Sequence, residues 1–306
     1  MAITIALTNQ KGGVSKTTTV LNLGHALARK GRRVLLVDLD PQASLTLGLN
    51  VSIEEAAFSL FGVIEAGDNI REIVLDLGGA DGVAEDENGG EFHEPASERL
   101  GAVDQATPGG LESETSVASE AGGQEEEGEV KGYVHLAPAH ISMSALDTRL
   151  KEEMGYHTFL AEALEAVAED YDFVLIDCRP ALDALETNAM YAADYLIIPV
   201  ETNKYSLYAT KDLGEFYQKV RDRLNPGLRI LGVLFTRVES RTRLSKEVIE
   251  RVSTVFGDSI LNTQIRKNVR LAEVPGSSDS IFDYAPASHG AQDYMSLAEE
   301  VIERVG

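Results

Sequence analysis

The sequence predicts an α/β protein built on a twisted, mainly parallel β-sheet covered by helices on both faces, and three observations carry that expectation. Short, continuous apolar runs recur at residues 3–7, 33–37, 173–176, 195–200 and 230–235, as strands buried on both faces require. Segments with an apolar residue at every third or fourth position fall between several of them, so strand and helix alternate. A glycine-rich turn joins the first strand to the first helix.

That turn runs Asn9-Gln10-Lys11-Gly12-Gly13-Val14-Ser15-Lys16-Thr17-Thr18-Thr19 and leads into a helix marked by Val20, Leu23 and Leu27. Strand, glycine turn and helix together make a phosphate cradle, the P-loop NTPase-like arrangement. Gly12 and Gly13 let the backbone approach an anion, and the free N–H groups at the helix start direct partial positive charge at it. The stretch from Lys11 through Gly12, Gly13, Val14, Ser15, Lys16, Thr17 and Thr18 is therefore the expected nucleotide-binding segment. Lys16 would reach the β- and γ-phosphates of ATP, and the Thr17 hydroxyl would take one position on Mg2+, which needs few protein ligands.

The spacing departs from the common G-x-x-x-x-G-K-[ST] loop, because Gln10 and Ser15 stand where its glycines would be, and a second lysine, Lys11, precedes the glycine pair. It resembles the deviant Walker A loop of the ParA/MinD family, K-G-G-x-x-K-[ST], at every fixed position; most ParA proteins carry Gly where this chain has Ser15. The second strand ends in Asp38-Leu39-Asp40-Pro41-Gln42, placing carboxylates where parallel sheets bind ligands. The resemblance implies that Asp40 orients the attacking water, while Asp38 helps to hold the Mg2+ water shell or the loop. Residues 171–177 are Walker B-like, with Asp177 expected to bond a Mg2+-bound water or the Thr17 hydroxyl. The family's Cys-Pro-Pro continuation is here Cys178-Arg179-Pro180. Residues 264–275 resemble the family segment I-P-R-N-V-R-L-x-E-A-P; Asn268 keeps the adenine-contacting place and Arg266 replaces the proline.

Within the family the likeness is to ParA/Soj partition ATPases and covers nearly the whole chain. It implies a weak, partner-stimulated ATP hydrolase that works as an ATP-bound sandwich homodimer, with each Lys11 reaching the other subunit's phosphates. A second cation there stabilises charge in the transition state as an arginine finger does. It further implies nonspecific DNA binding and a ParB-like centromere-binding partner, and hence a nucleoid-associated protein. Residues 237–270 carry eight basic side chains against four acidic ones, and Arg241 and Arg270 are the expected DNA-backbone contacts, supported by Arg243 and Lys246. Two alternatives are a MinD-like ATPase on a membrane and a cargo-positioning ATPase without DNA segregation. The first needs a basic amphipathic tail, whereas this chain ends with Glu299, Glu300 and Glu303.

With 306 residues, 43% of them apolar, the chain can bury a large core, expected as one ATPase domain over residues 1–306. No long apolar run or charged leader is present, so a cytoplasmic, membrane-free protein is expected. Cys178 is the only cysteine, which excludes an internal disulfide, and the histidines show no metal-ligand spacing. Of the net charge of −23, residues 81–130 contribute −14, from fifteen acids against Arg99. Residues 79–131 are thus expected to be an acidic, low-complexity, disordered insertion. The acidity of the remainder, with seventeen Arg to ten Lys, suggests a halophilic, high-salt cytoplasm.

The other elements follow in order. Residues 52–61 and 69–77 read as short helices opened by Ser52 and Asn69, and residues 133–137 as a strand. Helices are expected at 142–150 and 158–169, then along Leu207, Leu213, Phe216, Val220 and Leu224 until Asn225-Pro226-Gly227 stops the last of these. A helix over 244–256, an extended segment near Ile260 and a final helix over 292–304 complete the pattern.

Overall fold

The computed structural model describes residues 1–54, 56–79, 132–203, 206–276 and 280–306. All of them fall within one unit of the chain, Met1–Ala84 with Lys131–Gly306. The expected acidic insertion lies outside the described residues except for Gly79, which ends a strand.

Eight strands form a single sheet in the order β3-β4-β2-β5-β1-β6-β7-β8. They are β1 Ile3–Leu7, β2 Arg33–Asp38, β3 Leu75–Gly79, β4 Tyr133–Ala137, β5 Phe173–Asp177, β6 Tyr195–Glu201, β7 Arg229–Val238 and β8 Ile260–Arg266. Every pairing is parallel except the edge pair of β3 with β4. Because successive residues face opposite sides, each strand feeds two cores. Ile5, Leu7, Val34, Leu36 and Leu175 pack under α1 (Lys16–Ala28) and under Tyr294, Leu297 and Val301 of the last helix, His289–Val305. Ala6, Leu35, Val37, Val174, Ile176 and Ile198 pack on the other side, against residues such as Leu160, Leu185 and Leu213. The continuous apolar runs of the sequence are the consequence.

The remaining helices, in chain order, are α2 Ser44–Gly48, α3 Leu60–Ala66, α4 Leu146–Leu150, α5 Phe159–Glu165, α6 Ala184–Ala192, α7 Ser206–Arg223, α8 Arg243–Phe256, α9 Arg270–Glu273 and α10 Ile281–Tyr284, so that the last helix is α11. Asn225, in the expected stop after α7, donates through Nδ2 to the carbonyls of Met190, Tyr191 and Ala193 at 3.0, 3.0 and 2.8 Å. One side chain thereby satisfies the end of α6 and fixes the turn out of α7.

Three expectations are corrected. Residues 52–61 are not one helix: a single 3₁₀ turn at Ala56–Phe58 precedes α3, which Ser59 caps by accepting the Phe61 N–H at 3.2 Å. Residues 69–77 are not helical beyond one 3₁₀ turn, Ile70–Glu72, because β4 offers an open edge and β3 pairs there, Leu75 opposite Leu136 and Asp76 opposite His135. Sheet pairing overrides weak helical spacing over so short a stretch. Likewise, 142–150 divides into a 3₁₀ turn, Ile141–Ala145, and α4.

Candidate nucleotide site

β1 lies between β5 and β6, and the chain leaves it for β2 on one side, so the loop after β1 opens at a switch point of the sheet. Residues 9–15 cross this crevice and enter α1. Gly13 has φ 76°, a left-handed conformation that suits glycine, and Ser15 adopts φ 69° as well. The Ser15 side chain does not cap α1, which leaves the first N–H groups of the helix for a ligand. The Thr236 hydroxyl donates to the Val14 carbonyl at 3.1 Å and ties the loop to β7. Ser15 thus occupies the glycine-type geometry of the ParA pattern at a steric cost. Ser15→Gly should stabilise the fold by roughly 0.5 to 1 kcal/mol, seen as a higher urea midpoint; an unchanged midpoint would mean the left-handed turn is unstrained.

The two lysines of the loop occupy different places. Lys16 is buried, 7% exposed, and its ammonium donates back to the Asn9 carbonyl at 3.0 Å and the Lys11 carbonyl at 3.4 Å. Lys11 stands at the mouth, its ammonium 3.4 Å from Glu201 Oε2 on β6. Asn9 organises both, accepting the Lys11 N–H at 2.9 Å and donating through Nδ2 to the Pro199 carbonyl at 2.7 Å.

Strand register sets the acids side by side, Asp38 opposite Asp177. Asp38 is fully buried; its Oδ2 accepts the N–H and hydroxyl of Thr46 at 2.9 and 2.7 Å, and its Oδ1 accepts the Asp40 N–H at 3.2 Å. Burial pushes Asp38 up to about 6 even against those bonds. Asp177 is raised well above the usual carboxylate range, first by burial and then by Asp38, while the Thr17 hydroxyl and Lys16 pull it down. Neither Asp177 oxygen has a partner in hydrogen-bond geometry. Two orphaned, buried carboxylate oxygens beside a hydroxyl and a second acid are a hard-oxygen donor set, and they fit Mg2+. Among the described residues no group of three or more acidic, His or Cys side chains forms a metal cage, so such an ion would keep water and phosphate oxygens.

Asp40 sits one turn further on, its Oδ1 accepting the Gln42 N–H at 2.9 Å, in a loop closed by Ala43 at φ 51°. Asn268, Ser15 and Thr18 line one cavity of about 650 Å³ together with residues of β6, β7 and the start of α8. Its far wall is braced by Arg266, whose guanidinium and N–H both bond Asp293 of α11, with Nε and N at 3.0 and 2.9 Å. The replacement of the family's proline by Arg266 is therefore a structural anchor. Arg179 is bound to Asp183 at 2.9 Å, and Asp183 caps α6 by accepting the Glu186 N–H at 3.1 Å.

Of the basic side chains expected at DNA, Arg243 pairs with Glu247 at 2.9 Å and Arg270 with Glu273 at 3.0 Å. Arg241 and Lys246 are exposed, and no ion pair holds either among the described residues. Sequence reasoning missed Glu186, a fully buried acid on α6 that accepts a hydrogen bond from Thr8 at the end of β1. It also missed Thr46, the clamp on Asp38. Nothing in the local pattern singles out either one, since both lie in short helices with weak apolar spacing.

A glycine-turn phosphate cradle at the switch point of a parallel sheet, with a buried lysine above it and two buried acids on adjoining strand ends, defines a nucleotide-binding protein of the P-loop class. The chain belongs to the CobQ/CobB/MinD/ParA nucleotide binding domain family, whose model matches residues 5–281. It is 36% identical to the sporulation initiation inhibitor protein Soj of Bacillus subtilis over 97% of both chains. It is also 36% identical to the chromosome-partitioning ATPase Soj of Thermus thermophilus, over 98% of this chain and 96% of that one. Among solved structures it resembles cobyrinic acid a,c-diamide synthase from Mycobacterium smegmatis with bound ADP and magnesium, at a TM-score of 0.72 and 26% identity, covering 100% of this chain and 96% of that one.

Proposed function

We propose that the protein is a ParA/Soj-type partition ATPase that binds ATP with Mg2+, pairs with a second copy, engages DNA nonspecifically and is stimulated by a ParB-like partner. The separation of the two loop lysines supports the reading best: Lys16 lies within the cradle, while Lys11 stands at its mouth, where a second copy could take it up. Full-length similarity to two Soj proteins supports the partition role. Lys16 and the free N–H groups of α1 would hold the phosphates, and Asn268 would face the base. Thr17 would hold the metal, with Asp38 and Asp177 around its water shell; the ion, when bound, neutralises phosphate charge. Asp40 would orient the attacking water, and the partner's Lys11 would stabilise charge spreading over the phosphate oxygens.

DNA contact would fall first on Arg241 and Lys246, because Arg243 and Arg270 must first leave their acidic partners. The apolar side of α11 is buried in the core through Tyr294, Leu297, Ala298 and Val301, and no helix among the described residues is long and apolar enough to cross a membrane. The burial leaves α11 no free apolar side for a membrane surface.

Sedimentation with ATP and duplex DNA tests the proposal. The Asp40→Ala variant should accumulate an ATP-bound dimer that retains DNA. Charge reversal at Arg241 and Lys246 should release the DNA, flatten its salt dependence and leave the dimer intact. A protein that stays monomeric with ATP, or a dimer indifferent to DNA, would contradict it.

A further inference from the structure

Lys11 enters the proposed cycle as a side chain lent to a second copy, yet in the single chain it already has a partner. Its ammonium lies 3.4 Å from Glu201 Oε2, and each of the two side chains is 25% exposed. The backbone of Lys11 is fixed independently, its N–H donating to Asn9 Oδ1 at 2.9 Å while Asn9 Nδ2 donates to the Pro199 carbonyl of β6 at 2.7 Å. The side chain can therefore swing off Glu201 without disturbing the loop.

Glu201 is equally prepared to let go. It ends β6, opposite Thr236 of β7, so its backbone is held by the sheet. Asn203 Nδ2 donates to Oε2 at 2.6 Å, and Arg237 Nη1 lies 3.8 Å from Oε1. Once Lys11 has left, the carboxylate keeps an amide and a guanidinium, so no bare charge remains at the mouth of the site.

We propose that Glu201 is a latch that keeps Lys11 on its own subunit until a nucleotide-loaded copy offers a stronger counter-ion. The inference rests on the sandwich-dimer reading above. A terminal phosphate carries more charge than a carboxylate and is cradled away from water, so it outcompetes Glu201, whereas an empty partner does not. The latch thus makes dimerisation selective for loaded partners. A partly exposed pair shifts an equilibrium by about 1.4-fold to fivefold, and a dimer opens two of them, so the expected effect on the dimer dissociation constant is about twofold to thirtyfold.

The test is sedimentation equilibrium of the full chain with a non-hydrolysable ATP analogue across a salt series. Glu201→Gln should dimerise more tightly than the natural chain by that factor at low salt, and the gap should close as salt screens the ion pair. Glu201→Asp, which keeps the charge one methylene further back, should fall between the two and carries the test should the Gln variant unfold. Equal or weaker dimerisation by the variants, or a gap independent of salt, overturns the latch while leaving the dimer. A natural chain that remains monomeric with the analogue overturns the sandwich reading and the latch together.

Discussion

Lys16→Ala should raise the dissociation constant for ATP by at least about 100-fold, in line with the loss of a buried, charge-assisted phosphate contact. Lys16 is the buried cation of the loop, and its ammonium rests on the Asn9 and Lys11 carbonyls, where a bound phosphate would replace them as acceptors. Its removal strikes the site twice. In the proposed site the phosphates would lose a buried cation, and Asp177 loses one of the two groups that oppose the effect of burial, so its carboxyl would rise further. Calorimetric titration with ATP and Mg2+ reads the affinity, and a parallel thermal melt checks that the variant remains folded. Affinity within threefold of the natural chain would remove Lys16 from the phosphate site.

Glu186→Gln should stabilise the protein on the order of 3 kcal/mol at pH 7, with an advantage that vanishes toward pH 4.5. Burial pushes Glu186 up to about 8, against the Thr8 hydrogen bond and Lys16, which pull it down. The folded chain therefore holds a proton there that the unfolded chain, with an ordinary glutamate, has released by neutral pH. Since the folded state binds more protons, stability falls as pH rises from the unfolded value of 4.5 through about 8 and levels off above it. Glutamine keeps the shape and the acceptor for Thr8 but has no proton to lose. Urea unfolding of both proteins at pH 5, 7 and 8.5 measures this. Parallel curves with a constant offset would show that Glu186 does not titrate in that window. Thr8 adjoins Asn9, so ionisation of Glu186 would also disturb the root of the phosphate loop.

The phosphate loop, the strand-end acids and the parallel sheet were legible in the sequence because each depends on short-range geometry. Gly13 marks a left-handed turn whatever the rest of the chain does, and the residues of β2 and β5 are apolar on both faces because helices cover both. Ser15 was recognisable as a departure from the glycine of the ParA pattern, and the structure shows the backbone held in the glycine conformation regardless.

The partners of these residues were not legible, because they come from distant parts of the chain. Glu201 lies 190 positions from Lys11 and Glu186 lies 178 from Thr8, and no local pattern encodes such pairings. The reading of β3 as a helix failed for the same reason, since only the open edge of β4 makes an extended conformation the better choice there. The sequence by itself determined the mainly parallel sheet, the glycine turn after β1 and the acids that end β2 and β5, through spacing, glycine and strand-end chemistry. Only the tertiary structure decided which charges neutralise one another, because an ion pair depends on separation in space and on exclusion of water, and both are set when the two cores close on either side of the sheet.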